Sequence, residues 1–200
     1  MNISLLLQMA ADACPDRVAL SHEGNHYSYS QLFDAARHAA QTFESADCEY
    51  VSLLDVSNPS VPIALMGAAM AGIPYVPLNY RLSEEQILPL FDRISPAYLI
   101  TGEREDNYDF DGWVVQDSSN FLRATLGSES GDYFKDVDPS EVAVQLFTSG
   151  TTGTPKAALL RHEHLVSYIL GSVEFMGALE EEAALVSVPP YHIAGISAVM

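Results

Sequence analysis

Apolar and polar positions follow a helical period over several parts of this chain. The clearest case is 29–45, where the apolar positions are Leu32, Ala35, Ala36, Ala39, Ala40 and Phe43. Such 3.6-residue spacing predicts a helix, and Ser28 with Gln31 has the spacing of a capping box at its start. Ser83 and Gln86 repeat that spacing and predict a helix to about Arg93.

Other segments predict further helices. The chain start, 1–11, favours an amphipathic helix with Leu5, Leu6 and Met9 on one face. Small apolar residues over 63–71 favour a helix that ends at Gly72, because glycine readily takes the left-handed conformation after a helix. Shorter or later helices are predicted over 119–125, from 162 to about 176, and from 193 onward.

Short apolar runs lie between these helices and predict strands. They cover 51–56, 75–78, 97–101, 113–115, 141–147, 157–160 and 184–188. Pro77 indicates that the second of them is an edge strand or ends there, since proline cannot donate to a sheet ladder. Strands separated by helices indicate βαβ units. The predicted fold class is therefore α/β, with alternating helices and a mostly parallel sheet.

The charge balance limits the possible partners. The 200 residues carry a formal net charge of -18, with only nine Lys and Arg. Nucleic acids and anionic membranes need clustered cations, so neither is expected as a partner. No apolar run reaches the roughly 18 residues of a membrane span. Cys14 and Cys48 stand apart from metal-ligand or CxxC spacing, which favours reduced cysteines in a cytoplasmic protein.

A loop rich in hydrogen-bond donors follows the strand predicted over 141–147. Its residues are Thr148, Ser149, Gly150, Thr151, Thr152, Gly153, Thr154, Pro155 and Lys156. Glycines let backbone N–H groups approach a ligand, and hydroxyls and a lysine add donors that suit phosphate oxygens. The loop is not a Walker A motif, because Pro155 precedes Lys156 and Ala157 follows it. Composition alone leaves an ordinary polar surface turn as an equal alternative.

The order of residues 146–156, Leu-Phe-Thr-Ser-Gly-Thr-Thr-Gly-Thr-Pro-Lys, resembles the signature of the AMP-forming adenylate enzymes. That superfamily includes acyl-CoA synthetases, adenylation domains of peptide synthetases and firefly-type luciferases. One departure is Ala157, where the family usually has glycine. Segments 15–20, 27–32, 67–79 and 189–195 also resemble family segments, in the expected order. The resemblance therefore covers nearly the whole chain.

The resemblance implies ATP-dependent activation of a carboxylic acid to an acyl-adenylate, followed by thioester formation with coenzyme A. ATP, Mg²⁺ and coenzyme A are the implied cofactors, and no residue is assigned to metal binding. The loop would hold the β- and γ-phosphates through Thr148, Ser149, Gly150, Thr151, Thr152, Gly153, Thr154 and Lys156. His192 would lie beside the carboxylate or adenylate, with Tyr191 near the pocket wall.

Alternatives remain for two of these assignments. His192 could instead be a core histidine bonded to backbone, and His162 and His164 are expected to be solvated or capping.

Asn79 within 77–83 favours the CoA-ligase branch, because peptide-synthetase domains more often have an acidic residue there. The other candidates are an adenylation domain that loads a carrier protein and a non-catalytic or truncated nucleotide-binding protein.

The last residues bear on domain organisation. The chain stops inside the apolar run 193–200. Residues 1–200 are therefore expected to be an incomplete N-terminal ATP-binding domain. The rest of that domain and a mobile C-terminal domain would be missing, so the 200 residues alone are expected to be inactive.

Overall fold

The computed structural model describes residues 1–102, 110–127, 131–133, 135–148, 155–174, 177–179 and 181–200. The helices are α1 (Ser4–Ala13), α2 (Tyr29–Ser45), α3 (Ser60–Ala71), α4 (Glu84–Phe91), α5 (Ser118–Leu126), α6 (His162–Ser172) and α7 (Ile193–Val199). The strands are β1 (Val18–His22), β2 (Asn25–Ser28), β3 (Tyr50–Leu54), β4 (Tyr75–Pro77), β5 (Ala97–Thr101), β6 (Val114–Asp117), β7 (Val142–Thr148) and β8 (Lys156–Arg161). No helix among these is long and apolar enough to cross a bilayer.

Six strands form the central sheet in the order β6-β5-β3-β4-β7-β8. The pairs from β6 to β7 are parallel, and only β8 runs antiparallel to its neighbour β7. Leu54 pairs with Thr101, and Thr101 pairs with Asp117, so β3, β5 and β6 end at one level. The predicted α/β class and mostly parallel sheet are confirmed.

Two hydrophobic clusters cover the sheet, and we call them the first core and the second core. The first core contains the buried residues of α2 and α3 together with residues of β7, α6 and α7, including Phe43, Leu65 and Ile196. The second core contains the buried residues of α4, including Ile87 and Phe91. Helices α3 and α4 therefore pack on separate clusters after leaving the neighbouring strands β3 and β4.

Local signals predicted the helices well. Helix α2 begins and ends where its periodicity indicates, and Ser28 and Gln31 form the reciprocal capping box. Gly72 ends α3 with φ 66°, the left-handed conformation that glycine takes without a steric penalty. Helix α4 also begins at its predicted capping box, and α5 occupies the short helix predicted near 119–125.

One hairpin was not predicted. Strands β1 and β2 form a separate antiparallel pair. Their two-residue turn is Glu23-Gly24, with φ 49° and 80°. Two successive positive φ values are typical of the type I′ turn, which matches the twist of a hairpin. A glycine at the second turn position between two short runs was the available signal, although Glu23 is an unusual residue before it.

Two predictions about individual segments are wrong. Residues 184–188 form no strand in the described part of the chain, and Leu185 there is 90% exposed. An apolar run gains nothing from an extended conformation when no partner strand lies beside it. Helix α1 exists, but its buried residues are Ser4 and Ala11, and Met9 of the predicted apolar face is 42% exposed. The prediction for Pro77, an edge strand or a strand end, is confirmed in its second form, because β4 ends at Pro77 and lies inside the sheet.

Candidate active site

The β7–β8 hairpin holds both ends of the donor-rich loop. Thr148, the last residue of β7, pairs with Lys156, the first residue of β8. The Thr148 hydroxyl also donates to the Lys156 carbonyl over 3.3 Å. The predicted ligands Ser149, Gly150, Thr151, Thr152, Gly153 and Thr154 lie outside the described residues, so their roles stay predictions. The hairpin nevertheless places the beginning and end of that loop side by side.

Alternation along the two strands fixes the direction of the Thr148 and Lys156 side chains. Leu146 of β7 and Ala158 of β8 pack in the first core. Side chains two residues apart lie on the same face of a strand, so Thr148 and Lys156 share the face of the first core. Both residues are exposed, because they lie past the buried parts of the two strands. A hydroxyl and an ammonium group thus lie on one exposed surface at the end of β7.

His192 lies at the start of α7. Its carbonyl accepts hydrogen bonds from the N–H groups of Gly195 and Ile196, at 2.9 and 3.1 Å. Its ring is exposed and lies 4.7 Å from the ring of Tyr191, centroid to centroid. The alternative of a buried, structural His192 is therefore wrong. Because Ile196 is buried in the first core, α7 packs on the same sheet face as Lys156.

The segment before α7 crosses the ends of two strands. The ring of Tyr191 meets the ring of Tyr80 edge to face at 5.5 Å, and Tyr80 follows β4. Ser57, which follows β3, donates from its hydroxyl to the Val188 carbonyl at 3.5 Å. Helices α3 and α4 leave these two strands for separate cores. Ligands of open α/β sheets bind in such crevices, beyond the carboxyl ends of the strands.

Asp55 stabilises the loop that supports this segment. Its carboxylate accepts from the Ser118 hydroxyl at 2.6 Å, from Asn58 Nδ2 at 2.7 Å and from the Val56 N–H at 2.7 Å. These bonds connect the loop after β3 to the start of α5. Asp55 was not predicted as a site residue, although an acidic residue directly after a buried strand was a usable signal.

The two other histidines near a helix start differ from each other. His164 is exposed and lies 3.8 Å from Glu163, as expected for a solvated residue. His162 is only 1% exposed, and its Nδ1 accepts from the Ile3 N–H at 3.4 Å. Burial lowers the pKa of His162 to about 4. The expectation that His162 is solvated or capping its own helix is wrong, since it connects α6 to the start of α1.

The described residues contain no group of three His, Cys, Asp or Glu side chains arranged to hold a metal ion. The exposed donors at the hairpin, the Thr148 hydroxyl and the Lys156 ammonium, suit anionic oxygens instead. This part of the molecule thus has a set of exposed donors at the end of β7 and an exposed histidine at the start of α7.

Residues 7–200 match the family described as AMP-binding enzyme. The chain belongs to that family, and its resemblance to the AMP-forming adenylate enzymes is confirmed.

Two relatives are similar to this chain over most of its length. One component of the mycosubtilin synthase of Bacillus subtilis is 26% identical over 191 residues, which cover 92% of this chain and 7% of that protein. The D-alanine–D-alanyl carrier protein ligase of Staphylococcus aureus is 23% identical over 185 residues, covering 92% and 37%. The chain thus spans well under half the length of these relatives.

One solved structure shares most of the fold. It is the O-succinylbenzoate coenzyme A synthetase MenE of Bacillus subtilis, in complex with ATP and a magnesium ion. The TM-score is 0.80 at 21% identity, and the match covers 97% of this chain and 53% of that one. At this level of identity the likeness establishes the fold.

Proposed function

We propose that this chain supplies the phosphate-binding part of an ATP-dependent ligase that activates a carboxylic acid as its acyl-adenylate. The observation that carries the proposal is the Thr148–Lys156 pair, which closes a loop of glycines and hydroxyl residues at the end of a parallel strand. Family membership supports the same reaction.

The loop would bind the β- and γ-phosphates of ATP. In this reaction a carboxylate oxygen forms a bond to the α-phosphorus, and the bond to pyrophosphate breaks. Catalysis of such transfers depends on positioning and on neutralising charge on the leaving group. Thr148 would donate a hydrogen bond to a phosphate oxygen, and Lys156 would supply positive charge. Both lie where the hairpin brings them together, at the exposed end of β7.

Magnesium would enter with the nucleotide. The described residues show no three-ligand cluster for a metal, whereas ATP supplies phosphate oxygens of the kind Mg²⁺ prefers. The related MenE structure holds ATP and a magnesium ion together. A net charge of -18 makes such a counterion more important here, because few Lys and Arg are available to balance a polyphosphate.

His192 would face the carboxylate substrate. His192 is exposed at the N-terminal end of α7, and its ring lies beside that of Tyr191. An imidazole there can donate a hydrogen bond to a carboxylate oxygen, and the adjacent aromatic rings offer an apolar surface to the rest of the acid. This assigns His192 to substrate binding and Lys156 to the phosphates.

The acceptor in the second step has two candidates. Coenzyme A is favoured by Asn79 within 77–83 and by the likeness to MenE, a coenzyme A synthetase. A carrier protein is favoured by the D-alanyl carrier protein ligase and by the match to mycosubtilin synthase. Both acceptors present a thiol, and both reactions begin with the same adenylate. We propose coenzyme A as the acceptor and keep the carrier protein as the second candidate.

The two steps can be tested separately. The full-length protein is mixed with MgATP, labelled pyrophosphate and a panel of carboxylic acids, and exchange of label into ATP is measured. Exchange that depends on one class of acid supports adenylation, and its absence across the panel, despite nucleotide binding, favours a non-catalytic protein. Adding coenzyme A or a phosphopantetheine-bearing carrier to the responding acid then identifies the acceptor.

A further inference from the structure

Arg93 contacts Phe147, directly before the donor-rich loop, and Pro155 near the end of that loop, although it lies outside 15–20, 27–32, 67–79 and 189–195. Its Nη1 donates to the Pro155 carbonyl at 2.6 Å. Its guanidinium carbon lies 4.8 Å from the centre of the Phe147 ring. Phe147 directly precedes Thr148, and Pro155 directly precedes Lys156. One side chain therefore spans the two strands where the loop leaves and re-enters the sheet.

The backbone of Arg93 is itself well fixed. Its neighbours Phe91 and Ile94 are 2% and 0% exposed in the second core. Its N–H donates to the Leu90 carbonyl at 3.1 Å, which continues the last turn of α4. Phe147 packs against the same core. Arg93 thus extends from the end of α4 to the hairpin, where its exposed side chain contacts Pro155 and Phe147.

The chemistry of these contacts requires arginine. A guanidinium group is planar, so it can stack on an aromatic ring while an N–H in its plane donates to a carbonyl. Lysine carries the same charge on a compact ammonium group and cannot make both contacts in one geometry. A hydrogen bond from a charged donor is also stronger than one between neutral groups.

From these contacts we infer that Arg93 is a positioning residue for nucleotide binding, which holds the opening of the loop at the width that a polyphosphate needs. The inference rests on the proposed function. Arg93 acts through Pro155 and Phe147 rather than by touching the phosphates. Its removal leaves the donors present but lets the two strand ends separate, so that nucleotide binding must also restore their spacing.

The test uses MgATP binding to the full-length protein, measured by calorimetry, with variants Arg93→Ala, Arg93→Lys and Arg93→Gln. Arg93→Ala should raise the Kd for MgATP about tenfold, the effect that one hydrogen bond from a charged donor typically controls. Arg93→Lys should recover only part of this loss, because the stacking geometry is gone. Arg123→Ala, which removes an exposed arginine from α5, is the matched control and should leave the Kd unchanged.

A second measurement separates positioning from charge. Phe147→Leu keeps an apolar side chain but removes the ring, and it should raise the Kd in the wild type more than in the Arg93→Ala background. Amide hydrogen exchange of Thr148 and Lys156 should also become faster in Arg93→Ala, with an unchanged global unfolding midpoint. Full recovery by Arg93→Lys would show a simple charge effect and overturn the inference.

The outcomes distinguish this inference from the proposed function. If the wild type does not bind MgATP, the proposed function fails, and the inference fails with it. If the wild type binds and Arg93→Ala binds equally well, only the Arg93 inference is wrong. If Arg93→Ala does not fold, the Kd values for MgATP of Arg93→Lys and Arg93→Gln test the inference instead. A wild-type Kd in both variants would contradict a positioning role.

Discussion

Thr148 and Lys156 are cross-strand partners, and the Thr148 hydroxyl donates to the Lys156 carbonyl at 3.3 Å. The hydrogen bond uses the backbone of Lys156 and leaves its side chain exposed beside the hydroxyl. Substituting Lys156 therefore removes a charge without removing the contact that closes the hairpin. This separation makes the proposed phosphate role of the side chain testable.

Lys156→Ala in the full-length protein should slow pyrophosphate exchange roughly 100-fold, as removal of one charged or hydrogen-bonding group from a transition state commonly does. The affinity for the carboxylic acid should change little, because the lysine contacts phosphates in the proposal. Steady-state exchange at varied ATP and acid concentrations provides both values. Lys156→Arg, which keeps the charge, is the control, and unchanged exchange in Lys156→Ala would count against the assignment of the loop.

His192→Ala should give the opposite pattern. The KM for the carboxylic acid should rise, by about tenfold for a lost hydrogen bond to a charged group, while the KM for ATP stays near the wild-type value. His164→Ala removes a solvated histidine and should have no effect on either constant. If His192→Ala and Lys156→Ala affect the same constant, the two residues do not have the separate roles proposed for them.

The sequence predicted what local chemistry determines. The capping box of Ser28 and Gln31 and the left-handed Gly72 bound helices through contacts within a few residues, and both are confirmed. The order of residues 146–156 likewise indicated the family. Contacts between distant residues gave no such signal. Arg93 reaches Pro155 across 62 positions, and His162 reaches Ile3 across 159, so their partners depend on how the sheet and helices assemble.

Gly67 lies in segment 67–79, which resembles a family segment, and the close packing of α3 against α2 explains why a glycine stands there. A Cβ at Gly67 would lie 2.7 Å from Ala39 Cβ and 2.9 Å from the Ala36 carbonyl oxygen, both on α2. Gly67→Ala should therefore force α2 and α3 apart and destabilise the protein by about 1–3 kcal/mol. Denaturant unfolding measures the change.

Gly171 in α6 provides the matched control for this change, because a Cβ there would have no atom within 4 Å. Gly171→Ala should be neutral or stabilise the protein by up to about 1 kcal/mol, since alanine has a higher helix propensity than glycine. Equal unfolding free energies for Gly67→Ala and Gly171→Ala would show that the close contact between α2 and α3 does not determine the residue at position 67.

His162 should make the stability of the protein depend on pH. Burial lowers its pKa from the ordinary 6.5 to about 4, and its Nδ1 must be unprotonated to accept from the Ile3 N–H. Between these two values the unfolded chain binds a proton that the folded chain does not. The free energy of unfolding should therefore be unaffected by this group above pH 6.5. It should fall as the pH drops towards 4, by at most about 3 kcal/mol.

Unfolding free energies measured from pH 7.5 to 4 in wild type, His162→Gln and His164→Gln would isolate this contribution. Glutamine does not titrate, and its carbonyl oxygen can still accept a hydrogen bond. The shared titration of the carboxylates cancels in the comparison, so the His162→Gln curve should be flatter than the wild-type curve between pH 6.5 and 4. His164→Gln should retain the wild-type slope, since His164 is exposed. Parallel curves for all three proteins would mean that His162 is protonated in the folded state, and the buried contact between α6 and α1 would then need another explanation.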